Sequence, residues 1–503
     1  MEAYRKLEEV FEKAYRFQHF VDLAWWDANA MMPSCGVEAR GKVMAVMMNH
    51  IHQMRASPEV QALIGEAAAA VGEMSDVESA NFREMQRVVR EETIFADEFV
   101  RRKAMLTSAA PQVWAKAKAK NDFQMFLPYF KQTVEVSREE ARIRANNTGM
   151  TPYGALLDSH EPGLTVEKLE EIFNDIKSWL PQLIREVQEN RKDIDASIVP
   201  LQTPIPIAAQ EALGRFFTQV WGYDPEGRLD VAPHPFSGMV KEDSRITTHY
   251  SVDNYEKSVF ATIHEMGHSR YETGCGPREK LGQPVCMARS AGIHESQSRF
   301  GEVIVGRSGA FAEFMTPHLR RYLGEQPAFT AENVRKLNQV VRPGFIRVAA
   351  DEVCYPMHVI LRFEIERALI DGEMEPEQVP QVWAEKVKEY FSIDTCGCDD
   401  IGCLQDCHWS NCFYGSFPGY AIGSIFAAQL MATIRKEMGD DTVDKCIRNG
   451  DMAPILEKQR EKVWSRGCMY PTMMDVIVKA TGEPLTTKYF RAHLERRYLR
   501  NED

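Results

Sequence analysis

The sharpest cluster of reactive side chains in the chain is His264-Glu265-Met266-Gly267-His268. On an α-helix, residues four apart stand one turn apart on the same face, so both imidazoles can reach a single cation. Glu265 lies beside them, where a carboxylate can take a proton from water activated by that cation. This is the chemistry of metal-assisted hydrolysis. The bland alternative is a pair of surface or hydrogen-bonded core histidines.

A hydrolytic zinc-type centre usually takes a third protein ligand and keeps one position open. Downstream runs Ser290-Ala291-Gly292-Ile293-His294-Glu295-Ser296-Gln297. Both His294 and Glu295 can bind a cation, but helix neighbours point about 100° apart, so only one of them faces it. Glu272 and Glu279 fall at or past the end of the first helix. A second helix packed beside the first delivers a ligand more rigidly, and spacing alone favours Glu295 only slightly over His294.

Such side chains need rigid elements to hold them. Asp253 and Glu256 form an Asp-x-x-Glu capping signal ahead of the motif. Val259, Phe260, Ile263 and Tyr271 supply an inward stripe, and Gly274, Gly276 and Pro277 stop the helix. Near the start, Leu7, Val10, Phe11, Ala14, Phe17, Phe20, Val21, Leu23 and Ala24 predict a helix over 3–27, ended at Met31-Met32-Pro33. Residues 38–56 and 76–120 also read as helical, as does most of the chain from 253 onward. Leu229-Asp230-Val231 and Ile246-Thr247-Thr248 are short strand candidates. The reading is a mainly α fold with one small β-sheet. The chain 1–503 forms a single catalytic unit, with a helical N-terminal lobe 1–160, a core 200–430 and a helical part 431–503. The Gly- and Pro-rich stretch 147–164 is either a hinge or an ordinary inter-helix loop.

With 60 Lys and Arg against 73 Asp and Glu among 503 residues, the net charge is −13. That balance argues against a nucleic-acid partner and against a polybasic membrane anchor. The chain starts with charged residues and no apolar leader. The apolar stretch from Tyr420 to Ile434 is interrupted by Gly423, Ser424, Gln429 and Thr433. It falls short of the about 20 residues that span a bilayer, so no membrane partner is expected. Eleven cysteines, an odd number, read as reduced thiols in a cytoplasmic protein.

The two motifs above, taken with four others, resemble the carboxypeptidase Taq family. The others are His234-Pro235-Phe236, Asp243-Ser244-Arg245-Ile246-Thr247, Ile346-Arg347-Val348-Ala349-Ala350 and Gly402-Cys403-Leu404-Gln405-Asp406-Cys407-His408-Trp409. Trp26-Asp27 and Met31-Met32-Pro33 also fit, and the likeness covers nearly the whole chain. Ser416 and Gly419 depart from the family's more common Tyr and Thr. The resemblance implies a large multi-helix metallopeptidase with a deep central groove and the small sheet beside its active site. It implies a metal-dependent carboxypeptidase, usually a homodimer, that acts on peptides with a free C-terminal carboxylate. His264, His268 and Glu295 would be the metal ligands and Glu265 the general acid/base. Arg347 would hold the substrate carboxylate, which suits a planar guanidinium. The segment with Gln405 and Trp409 would close one end of the groove against the substrate. His408 and Tyr420 would donate to the developing oxyanion. Two imidazoles and a carboxylate accept one divalent ion, Zn²⁺ first, with Co²⁺ or Mn²⁺ as alternatives.

Two competing functions share these features. One is a related helical metallo-oligopeptidase that cuts internally; the other is a non-catalytic peptide-binding protein on the same framework. Other residues carry open readings. Cys396, Cys398, Cys403, Cys407 and Cys412 are reduced thiols or a second metal site. His358 and Asp351-Glu352 either orient ligands or are structural. Asp243 with Arg245 reads as a salt bridge bracing the sheet, and the Met31-Met32 and Met47-Met48 pairs as core filler.

Overall fold

Helices dominate the computed structural model, which describes residues 1–224 and 226–502. Pro225, in the Pro-rich stretch 199–238, and Asp503, at the end of the charged run 492–503, lie outside the described residues. The first helix, Glu2–Ala30, ends just before Pro33, and the second runs Val37–Ala56. The tract read as helical over 76–120 forms two helices, Asp76–Thr93 and Asp97–Ala119. Between them Phe95 turns inward to stack on Phe99, with ring centroids 5.0 Å apart. Asp97 and Glu98 then open the next helix, where acidic side chains suit the free N–H groups. The first ninety residues pack around small apolar clusters of their own, built on Tyr4, Leu7, Phe11, Val60 and Phe82. The large core begins at Phe99 and continues to Tyr498.

The sheet has three strands: β1 (Leu229–Val231), β2 (Ser237–Val240) and β3 (Asp243–Thr248). Their order is β1-β3-β2, with β1 parallel and β2 antiparallel to the central β3. β1 and the end of β3 fall where the β-rich residues predict them. β2 escapes that reading because Ser237-Gly238-Met239-Val240 has no alternating pattern. The sheet lies against the HEMGH helix (Glu256–Gly274), tied to it by Ser244 Oγ and Ser269 Oγ at 2.7 Å. The cap expected from Asp253 is not formed. Asn254 Oδ1 accepts from the Glu256 N–H instead, at 2.7 Å, because it sits one residue closer to the first turn.

One helix among the described residues, Phe417–Met438, is long and apolar enough to cross a membrane, but 83% of its apolar window is buried inside the fold. It is a core helix, and the Glu295 helix (Ala291–Arg299) packs along it. Two further readings change. Met31, just past the end of the first helix, and Met48, on a helix that buries only Ile51, are exposed rather than core filler, while Met47 packs part-buried against the small cluster around Ile51. Asp243 and Arg245 do form the expected salt bridge, at 2.6 Å.

Candidate active site

His264 and His268 project from successive turns of the HEMGH helix, with their Nε2 atoms 3.2 Å apart. Glu295 Oε2 lies 3.7 Å from His264 Nε2 and 3.5 Å from His268 Nε2. Among the described residues these three form the only group of His, Cys, Asp or Glu side chains close enough to share a metal ion. A point equidistant from the three atoms lies about 2.0 Å from each, the bond length of Zn²⁺ to imidazole or carboxylate. The donor set therefore fits a divalent cation. The five cysteines of 396–412 make no such group, and all the cysteines are free thiols.

The close approach that delivers Glu295 depends on glycine. A Cβ on Gly267 would stand 2.4 Å from the Gln297 carbonyl oxygen, and one on Gly423 would stand 2.7 Å from Glu295 Cγ. The HEMGH helix thus meets the Glu295 helix backbone to backbone at Gly267, and the Phe417–Met438 helix meets the Glu295 side chain at Gly423.

Each histidine is oriented from behind. His264 Nδ1 meets Glu302 Oε2 at 2.9 Å, and Arg299 donates to the same oxygen at 3.2 Å. His268 Nδ1 faces His294 Nδ1, whose other nitrogen meets Glu272 Oε1 at 2.9 Å. Such partners set the tautomer and ring direction of a ligand imidazole. Burial opposes charge on Glu295 and Glu302, but His264 and Arg299 outweigh it and hold both carboxyls down at about 2. Glu265 is buried without a cationic partner of that strength. Burial pushes its carboxyl up to about 7, with His264 pulling it down and Glu295 pushing it further up.

A second group of buried charges surrounds Asp406. Arg347, only 6% exposed, donates to it at 2.9 Å, and Arg362 Nε donates at 2.6 Å. Burial opposes ionisation of Asp406, yet the two guanidiniums drive its pKa far below the usual carboxylate range. Tyr420 lies against Arg347, its ring centroid 4.9 Å from the guanidinium carbon, and its hydroxyl is 3.4 Å from His408 Nε2. Burial lowers the His408 pKa to about 4, leaving a neutral imidazole. Tyr355 connects the two groups: Arg347 donates to its hydroxyl at 3.1 Å, and Arg299 lies 4.9 Å over its ring.

Gln405 and Trp409 reach this region with their polar atoms already engaged. Gln405 Oε1 accepts from the Arg347 N–H at 2.8 Å, and its amide donates to Phe345 and Ile401 carbonyls. Trp409 Nε1 donates to Glu366 at 2.9 Å, and the ring stacks on Phe130. His358 and Asp351-Glu352 make their contacts away from His264, His268 and Glu295. His358 stacks on Phe391, Asp351 caps Val353 and Cys354, and Glu352 pairs with His493 and Arg497.

The sequence pattern described as the carboxypeptidase Taq (M32) metallopeptidase matches residues 6–498. The chain belongs to that family. It is 33% identical to thermostable carboxypeptidase 1 of Thermus thermophilus, over 99% of this chain and 98% of that one. It is 32% identical to carboxypeptidase 1 of Bacillus subtilis, over 99% of both chains. Among solved structures it superposes on metallocarboxypeptidase 1 of Trypanosoma cruzi with a TM-score of 0.97 and 49% identity, covering 99% of each chain. The Pyrococcus furiosus carboxypeptidase gives 0.92 at 30% identity, again over 99% of each chain. This chain is accordingly a metallocarboxypeptidase of the carboxypeptidase Taq family, and the family implies a divalent metal.

Glu302 and the relay through His294 and Glu272 escape the sequence reading of this carboxypeptidase. A signal for Glu302 exists: it follows Glu295 by seven residues, two helical turns, and so stands on the same face. That face persists even though the backbone passes into a π-helical stretch over Phe300–Val305. Glu272 also carries a spacing signal, one turn beyond His268 on the same helix, but its meeting with His294 comes only from the packing of two helices.

Proposed function

We propose that this carboxypeptidase removes single residues from peptides that end in a free carboxylate, using Arg347 to set the register. The observation that carries the proposal is the charge at the far end of the site, where two buried guanidiniums share the single carboxylate of Asp406. One positive charge is left over, and a peptide terminus supplies the matching anion. An internal peptide bond has nothing to offer there, which weighs against an internally cutting oligopeptidase.

His264, His268 and Glu295 would hold a divalent ion. Zn²⁺ is the first choice for this donor set, and Co²⁺ or Mn²⁺ are acceptable to it. When bound, that ion supplies Lewis-acid activation of a water molecule and of the scissile carbonyl. Glu265, poised near neutrality, accepts the proton of the attacking water and returns it to the departing amine. Neutral His408 and the Tyr420 hydroxyl are placed beside Arg347 to donate to the oxyanion. Gln405 acts on the substrate through the Arg347 backbone it holds, and Trp409 by bracing the segment that carries His408. The continuous core from Phe99 to Tyr498 supports reading the chain as one catalytic unit. A homodimer in the cytoplasm is the accompanying proposal. The family resemblance supports the dimer, and the free thiols suit a reducing compartment.

Paired peptides with free-acid and amidated ends test the proposal by mass spectrometry. The free acid should be trimmed stepwise and the amide left intact. Chelation should stop trimming, and added Zn²⁺ or Co²⁺ should restore it. Equal cleavage of both peptides would remove Arg347 from its assigned role.

A further inference from the structure

Glu161 has no part in the chemistry above, yet it is fully buried beside the metal-ligand helix. It ends the Pro152–His160 helix in a bend pinned from several sides. Leu164 N–H donates to the Glu161 carbonyl at 3.0 Å, Gly163 N–H to Asp158 at 2.7 Å, and Met473 N–H to the Pro162 carbonyl at 3.0 Å. The bend aims the carboxylate at the first turn of the Glu295 helix, where Oε1 accepts from the Gly292 N–H at 2.6 Å. Ser290 caps the same turn by accepting from Ile293 N–H at 3.0 Å.

The carboxylate fits there because two glycines make room. A Cβ on Gly292 would stand 3.1 Å from both of its oxygens. On the other side Oε1 fills the space that Gly419 leaves, 2.7 Å from where a Cβ would lie. Burying an acid here is costly: desolvation pushes its carboxyl up to about 7 against the pull of Ser290 and the Gly292 N–H. An apolar side chain would fill the same space without that penalty. What the acid adds is a directed acceptor at a helix N-terminus, wedged between the Glu295 helix and the Phe417–Met438 helix. Glu295 follows Gly292 by three residues, less than one turn, so any shift of that turn is passed directly to the ligand carboxylate.

We infer that Glu161 is the positioning residue for Glu295, fixing through the Gly292 N–H how far that carboxylate reaches toward His264 and His268. The inference rests on the metal-site reading above. It predicts that the acceptor's reach, rather than the mere filling of space, sets cation affinity.

Metal-stripped wild type, Glu161→Gln, Glu161→Asp and Glu161→Ala are titrated with Co²⁺ against a chromophoric chelator. The visible cobalt absorption and the thermal unfolding of the metal-free proteins are recorded alongside. Glu161→Asp and Glu161→Ala should weaken cobalt binding by about tenfold or more and alter its absorption band, as removing an outer partner of a metal ligand does. Glu161→Gln keeps the acceptor and should stay within about threefold of wild type, in line with the smaller cost of a retained cap. Two shortened variants are used so that one folded protein suffices. Wild-type affinity and spectrum in either, even with a lowered Tm, would reduce Glu161 to a structural role and overturn the inference. Equal weakening in Glu161→Gln would also overturn it, since the acceptor is still present. Failure of wild type to bind cobalt in a manner abolished by His268→Ala would instead refute the metal site itself.

Discussion

The two ends of the site bury charge in opposite senses. Around His264 and His268 stand three carboxyl groups, Glu265, Glu295 and Glu302, with two guanidiniums, Arg299 and Arg307, both paired with Glu302. Around Arg347 two guanidiniums share one carboxylate, with neutral His408 and Tyr420 beside them. One end is short of positive charge and the other of negative charge. Buried charge left unbalanced is expensive, so each end is most stable when its missing partner arrives. On the function proposed above, the first partner would be a divalent cation and the second the terminal carboxylate of a peptide. Tyr355, between Arg347 and Arg299, keeps the two ends in fixed relation. A rigid distance between a charge anchor and a hydrolytic centre suits removal of a terminal residue.

Three substitutions break this contrast, in descending order of effect. Glu265→Gln keeps the cation end intact but removes its base, so turnover should fall by about 10²–10⁴-fold. Elemental analysis should show the metal still bound. Loss of metal together with activity would mean that Glu265 holds the ion rather than the proton.

Asp406→Asn leaves Arg347 and Arg362 buried without a counter-ion, and should cost about 3–5 kcal/mol of unfolding free energy, measured in urea. The carboxyl of Asp406 is held far below its usual value. Its stabilisation is therefore complete above the ordinary Asp range and fades only as the pH falls toward the depressed folded value. The gap between wild type and variant should persist down to about pH 4 and close only in stronger acid. A gap that closed near neutrality would contradict the pairing seen here.

Glu302→Gln tests the cation end from behind. It removes the charge against His264 Nδ1 and should weaken metal binding by about 10–100-fold. A chelator competition would show it, and unchanged affinity would limit Glu302 to balancing Arg299.

Much of this was legible in the order of residues, for reasons that differ by element. The helix under His264 and His268 is readable because its stripe, its glycine stop and its four-residue spacing are all local. β1 and the end of β3 are readable from their β-favouring residues, Leu229, Val231 and Ile246-Thr247-Thr248, whereas β2 lacks a pattern and exists only by pairing with β3. The break at residues 94–96 has no glycine or proline to announce it, and Phe95 there packs on Phe99 and under Arg144 from a distant helix. Tertiary packing alone reveals Glu161 and the partner of Glu272: each acts on a residue far along the chain, across a helix contact. Glu295 and His294 were nearly even from spacing alone; in the fold Glu295 reaches the Nε2 side of the histidine pair, while His294 meets His268 from behind at Nδ1.

The residues themselves determine which donors and which charges are available, because ionisation and ligand chemistry belong to side-chain type. They also determine the face on which His264 and His268 stand, since helical spacing is a local property. The tertiary structure decides how those charges are balanced. It brings the HEMGH helix within contact of the Glu295 helix at Gly267, and sets two arginines on one aspartate. The cost of burying a charge depends on the distance and number of its neighbours, and those are fixed only once distant segments pack together.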